Sequence, residues 1–170
     1  MLRAAIGKYL PDLIFGANDG VITTLAVVSG VVGASLSSTV ILILGFANLL
    51  ADGFSMGVSN VLSRRSDTQN DLVPLAAASR HGLATVMGFI AAGVVPLLAY
   101  CLPLFKGIQF EVSILLALSA LFTIGASRAL FTKRSWLPSG LEMLLLGSFA
   151  ASIAYGVGAL GATIIRQTGA

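Results

Sequence analysis

The chain alternates between long apolar runs and short polar breaks. Five runs can be drawn, at about 13–34, 38–63, 82–104, 110–131 and 140–164. Each holds at least the ~20 residues that a helix needs to cross a bilayer. None shows the every-second-residue alternation of a membrane barrel strand. Backbone polar groups inside lipid must be satisfied within the segment, so runs of this kind predict helices. The expected fold is an all-α integral membrane protein, one domain over residues 1–170 with five transmembrane helices. The second run departs from plain hydrophobicity in a regular way. Asn48, Asp52, Met56 and Asn60 recur at every fourth position. Residues four apart share a helix face, so this spacing predicts one stripe of two amides, a carboxylate and a thioether.

Composition sharpens the class. Only 10% of the 170 residues are charged and the mean hydropathy is +0.96, whereas soluble domains carry about 25% charged residues. The net charge of +3 is spread in small groups between apolar runs, which is no footprint for nucleic acid. It reads as a topology signal instead. With the N-terminus in the cytoplasm, that side holds Arg3, Lys8, Arg64, Arg65, Arg80, Arg128, Lys133 and Arg134, and the far side only Lys106 and Arg166. The C-terminus is then expected on the far side. A single cysteine, Cys101, excludes an intrachain disulfide. The opening MLRAAIGKYLPD is not expected to be a cleavable signal, since the run that follows is too long and too dotted with polar groups.

An ionisable group at the centre of a membrane helix costs at least ~2.5 kcal/mol and points to function by default. Asp19 and Asp52 are such groups. The midpoint between them falls at Ser35/Leu36, inside the expected turn from helix 1 to helix 2. In two antiparallel helices, that symmetry puts the two acids at similar depth. Asn18 flanks Asp19. Gly16 and Gly20 frame Asp19, and Gly53 and Gly57 frame Met56. Small residues at this spacing let membrane helices approach, so helices 1 and 2 are expected to pack closely around the acids. Carboxylate and amide oxygens suit hard and borderline cations, and a thioether biases a site away from Mg²⁺ and Ca²⁺. The donors Asp19, Asp52, Met56, Asn18, Asn48 and Asn60 therefore predict a path for a divalent transition metal, with no resident cofactor. Desolvation favours the neutral form of a carboxyl group, so an arriving metal would release protons as it binds.

Several stretches together resemble the vacuolar iron transporter (VIT) family. They are FGANDGVITTLAVVSGVVGA (15–34), GFANLLADGFSMGVSNVLSRRSD (45–67), LFTIGASRALFTKRSWLPSGLEMLLLG (121–147) and SFAASIAYGVGALGA (148–162). The NDG near the start and the SMG…RSD of helix 2 are the more specific parts. The resemblance implies a five-helix protomer working as a homodimer. It implies export of Fe²⁺, and often Mn²⁺, from the cytosol in exchange for protons. It also implies a path between protomers lined by helices 1 and 2. The helix-1 acid of the family falls on Asp19 and the helix-2 methionine on Met56. The chain is a short form: where many members carry a Glu-rich cytosolic insert between helices 2 and 3, it has only Asp67 and Asp71. Where many members have Glu followed by Tyr after the helix-2 methionine, Asn60 and Val61 stand here. The resemblance places the protein in the inner or plasma membrane of a prokaryote, or in a vacuolar-type membrane of a eukaryote.

Each of these residues also has a structural reading. Asp19 could cap or pair, Asp52 could bond between helices, Met56 could fill core, and Asn48 and Asn60 could join helices. Helices 3 to 5 read as scaffold, with Pro96 expected to kink helix 3 or end its regular part. His81, beside Arg80, reads as structural. Ser139-Gly-Leu-Glu142 matches a capping box opening helix 5, and Glu111 suits the start of helix 4. Trp136 reads as an interfacial anchor and Arg128 as a residue that snorkels. An enzyme is not expected: the sequence has no HExxH and no nucleophile with a plausible base. The alternative to transport is a metal-sensing or scaffolding membrane subunit that moves nothing.

Overall fold

The computed structural model describes residues 2–66, 73–130 and 135–168. Among these, five helices are long and apolar enough to cross a membrane: α1 (Leu2–Gly33), α2 (Ser38–Ser66), α3 (Leu75–Cys101), α4 (Gln109–Ser127) and α5 (Trp136–Thr168). No strand occurs among the described residues. This is an all-helical integral membrane protein. Asp67, Asp71, Lys133 and Arg134, used above for topology and for the short loop, lie outside the described residues.

The helices overrun their apolar stretches. α1 begins at Leu2 rather than near residue 13 and passes through Pro11. α3 begins at Leu75 rather than near 82. Pro74 precedes it, and LAAAS is a strong helix-forming run. α3 also continues through Pro96 to Cys101, so the proline does not end it. The Pro96 carbonyl instead accepts a hydrogen bond from Ser113 Oγ on α4 at 2.9 Å. α5 opens at Trp136, not at residue 140, so the capping box is not formed. Ser139 already lies inside the helix and its Oγ donates to the Ser135 carbonyl at 3.0 Å. Pro138 fits the first turn because the N–H groups there have no intrahelical partner in any case. At 29 residues, α2 spans about 43 Å, longer than the ~30 Å hydrocarbon layer.

The α1–α2 connection is a tight left-handed cap. Ser35 sits at φ 58°. Its N–H donates to the Val32 carbonyl, and the Leu36 N–H to the Val31 carbonyl, at 2.9 and 3.1 Å. That pair of bonds is the Schellman arrangement. It fixes where the two helices start from one another, and hence the relative depth of their polar residues.

Beyond the turn, α1 and α2 share few contacts. Each packs far more extensively on α3, and α1 also packs along α5. The glycines explain the choice. A Cβ at Gly16 would overlap the Thr85 carbonyl oxygen, one at Gly20 the Phe89 carbonyl, and one at Gly88 the Leu13 carbonyl. Gly53 and Gly57 also turn toward α3, against Phe89 and Val86. The two glycine pairs therefore do not draw α1 and α2 together around the acids, as the sequence suggested. They seat both helices on α3, which leaves the space between α1 and α2 open. Phe89, Leu97, Leu49, Ile41 and Val28 form the dry core behind that space. A second cluster of Val21, Leu25, Ala117, Leu121 and Met143 ties α1 to α4 and α5.

Candidate functional site

The opening between α1 and α2 is a groove of about 890 Å³ lined by Asp12, Phe15, Ser55, Met56, Ser59, Asn60, Ser63, Arg64 and Ser66. Its α2 wall combines two helical rows, Met56–Asn60–Arg64 and Ser55–Ser59–Ser63. Both follow the four-residue repeat that keeps side chains on one face. In a helix facing hydrocarbon, such a wall of hydroxyls and amides has little packing value. It offers oxygen donors to a hydrated cation.

Met56 is half-buried, lining the groove while it packs against the core beside it. Asp19 and Asp52, both half-buried, are near enough for the charge of Asp52 to act on Asp19. Among the described residues, no three of His, Cys, Asp and Glu come together. The amides divide. Asn48 is half-buried and its Nδ2 is buried without a hydrogen-bond partner. Asn18 also has a buried, unpartnered oxygen, Oδ1. It lines a different cavity, of about 520 Å³, with Pro11, Ile14, Arg128 and Met143. Adjacent helix positions point about 100° apart, and α1 uses that angle to separate Asn18 from Asp19.

Asn60 is engaged within the chain. Its Nδ2 donates to Asp12 Oδ1 at 2.8 Å and to Thr85 Oγ1 at 2.7 Å. Its Oδ1 accepts from Arg64 Nε at 2.8 Å. Asp12 is the hub of this network and was not singled out by the sequence reading. It is only 6% exposed. Arg64 Nη2 donates to its Oδ1 at 2.8 Å, and His81 Nδ1 donates to its Oδ2 at 2.6 Å. A buried carboxylate is tolerable when it is paired and its lone pairs are used, and here α2 and α3 supply the partners. Asp12 lies seven residues before Asp19, two turns away on the same face. That spacing was the available signal. It went unread because Asp12 falls in the basic segment ahead of the apolar run. His81, on a helix read as scaffold, is buried in this network and its ring packs against Tyr9 with centroids 4.8 Å apart.

Comparison with known proteins follows the same helices. A sequence profile of the VIT family matches residues 10–73 and 68–159. Vacuolar iron transporter homolog 5 of Oryza sativa subsp. japonica is 27% identical over 168 residues, covering 91% of this chain and 81% of its own. The vacuolar iron transporters of Toxoplasma gondii and Plasmodium falciparum are 42% and 45% identical over 59 and 64 residues. Those segments cover 35% and 38% of this chain and only 20% and 23% of the two relatives. The profile covers both helices of the groove and most of the helices behind it, and the chain belongs to the VIT family.

Proposed function

We propose that this protein moves a divalent transition metal, Fe²⁺ or Mn²⁺, across its membrane along the α1–α2 groove. The observation that carries the proposal is the open space between two membrane helices that seat on α3 instead of on each other. Its floor and walls hold Met56, Asn60 and serines, and the half-buried carboxylates Asp19 and Asp52 belong to the same two helices. Family membership supports the reading, and the relatives named above are called vacuolar iron transporters.

The working unit is a homodimer. With Asp12 already engaged by Arg64, Asn60 and His81, one chain offers two further carboxylates and a thioether, too few to replace a metal's water shell, and a two-fold axis along α2 doubles them. The α2 surface suits such contact: Ile43, Leu50, Phe54 and Val58 are exposed along it. The loop charges orient the N-terminus toward the cytoplasm, and the family resemblance supplies the direction, outward from the cytosol. Protons return in exchange, because a carboxyl group held in a low-dielectric path must lose its proton before it binds metal.

The test is flux into liposomes, ion by ion, with a pH dye inside. Mn²⁺ or Fe²⁺ uptake should be accompanied by proton movement the other way. Asp19→Asn should lower the flux at least about tenfold, the scale of losing one ligand-type contact, while the protein still purifies as a folded species. Wild-type flux in Asp19→Asn would reject Asp19 as part of the path. A wild-type protein that binds metal and moves none would favour the sensing role.

A further inference from the structure

We propose that Arg64 is a tethered cation that closes the mouth of the α1–α2 groove by occupying Asp12, and that an entering divalent ion must displace it. The inference rests on the groove being the cation path, and adds how entry is controlled. Arg64 belongs to the last turn of α2, Asp12 to α1, and the bond between them at 2.8 Å crosses the gap between the helices at its end, one turn beyond the Asn60–Asp12 bond. Both residues line the groove together with Met56 and Asn60.

Three features distinguish this pair from an ordinary surface ion pair. Its two ends differ in environment: the Asp12 side chain is 6% exposed and the Arg64 side chain 39%. The guanidinium can leave toward the aqueous end by rotating its own side chain, whereas the carboxylate cannot follow. Next, Asp12 is held from behind. His81 Nδ1 engages Oδ2 at 2.6 Å and Asn60 Nδ2 engages Oδ1 at 2.8 Å, so Asp12 stays in place after Arg64 departs. Finally, Arg64 Nε also holds Asn60 Oδ1 at 2.8 Å. One movement of Arg64 therefore uncovers two oxygen donors, the carboxylate Oδ1 of Asp12 and the amide oxygen of Asn60, beside the thioether of Met56. A monovalent ion carries the same charge as the arginine and gains little by replacing its charge-assisted, geometrically matched bonds. A divalent ion gains more, which makes the latch a filter on charge.

The experiment measures Mn²⁺ binding to the purified protein by calorimetry and, in parallel, the half-saturating Mn²⁺ concentration for flux into liposomes. Arg64→Gln removes the competing cation and should tighten both about tenfold, the equivalent of about 1.4 kcal/mol. Arg64→Lys keeps the charge and should retain most of the weakening. If Arg64 acts through Asp12, the gain disappears when Arg64→Gln is made in an Asp12→Asn background. Unchanged affinity in Arg64→Gln, or a gain that persists without the Asp12 carboxylate, overturns the latch. Should the Asp12 variant fail to fold, the ordering of Arg64→Gln against Arg64→Lys decides the matter. Binding without flux in every variant would reject transport and leave the latch standing. Flux that ignores Arg64 would do the reverse.

Discussion

Neighbouring turns on one side of α1 do different things. At Gly16 and Gly20 the helix meets the backbone of α3 so closely that not even a methyl group fits. One turn earlier, Asp12 joins α1 to both neighbours through polar bonds, to His81 on α3 and to Asn60 and Arg64 on α2. In water, a helix would be expected to bury its apolar side and expose its charged side. Inside a membrane, hydrocarbon gives no such ordering, and close approach of backbones becomes the way to join helices. The glycine seam supplies rigidity, and because it seats both α1 and α2 on α3 it also creates the groove. A wet path through a small bundle is here the consequence of a dry seam beside it.

That contrast can be broken first at the seam. Gly20→Val places branched carbons against the Phe89 carbonyl and should cost about 4 kcal/mol or more. Loss of a monodisperse species on size exclusion in detergent is the expected result. If the variant remained folded, the seam would not be what holds α1 to α3. Next comes the polar hub. Asp12→Leu leaves His81, Asn60 and Arg64 without their shared acceptor. Because Arg64 can turn to solvent, the cost should be nearer about 2 kcal/mol, read as a lowered midpoint of thermal unfolding. The smallest effect on stability should come from the groove wall. Ser59 is exposed there and has no tight neighbour to displace, so Ser59→Leu should shift stability by less than about 0.5 kcal/mol. It should nevertheless cut Mn²⁺ flux several-fold by narrowing the groove. A larger side chain would then unfold the protein at the α1–α3 seam and block transport at the α2 wall of the groove. Equal effects at both places would erase the distinction.

The partner choices were the hardest part to foresee. Gly53 and Gly57 signal close approach wherever they occur, but the motif does not say to which helix. Asn60 and Met56 lie on one stripe in the sequence, and the fold separates their duties. Asn60 spends its amide on Asp12, Thr85 and Arg64, while Met56 lines the groove and packs on the core. Asn18 and Asp19 are neighbours in the chain, and of the two only Asn18 lines the cavity beside Arg128 and Met143.

What the chain determines on its own is whatever depends on the solvent and on counting along one helix. Five apolar runs require five membrane-length helices, because lipid leaves the backbone no other partner. The even spacing of Asp19 and Asp52 about the turn predicts similar depth for the two, because the rise per residue is constant. Tertiary structure decided what depends on rotation about each helix axis: which helix the glycines meet, which cavity each amide enters, and that Asp12 gathers Arg64, Asn60 and His81 from two other helices. Rotation is fixed by packing against neighbours, and no repeat within a single segment encodes the identity of the neighbour.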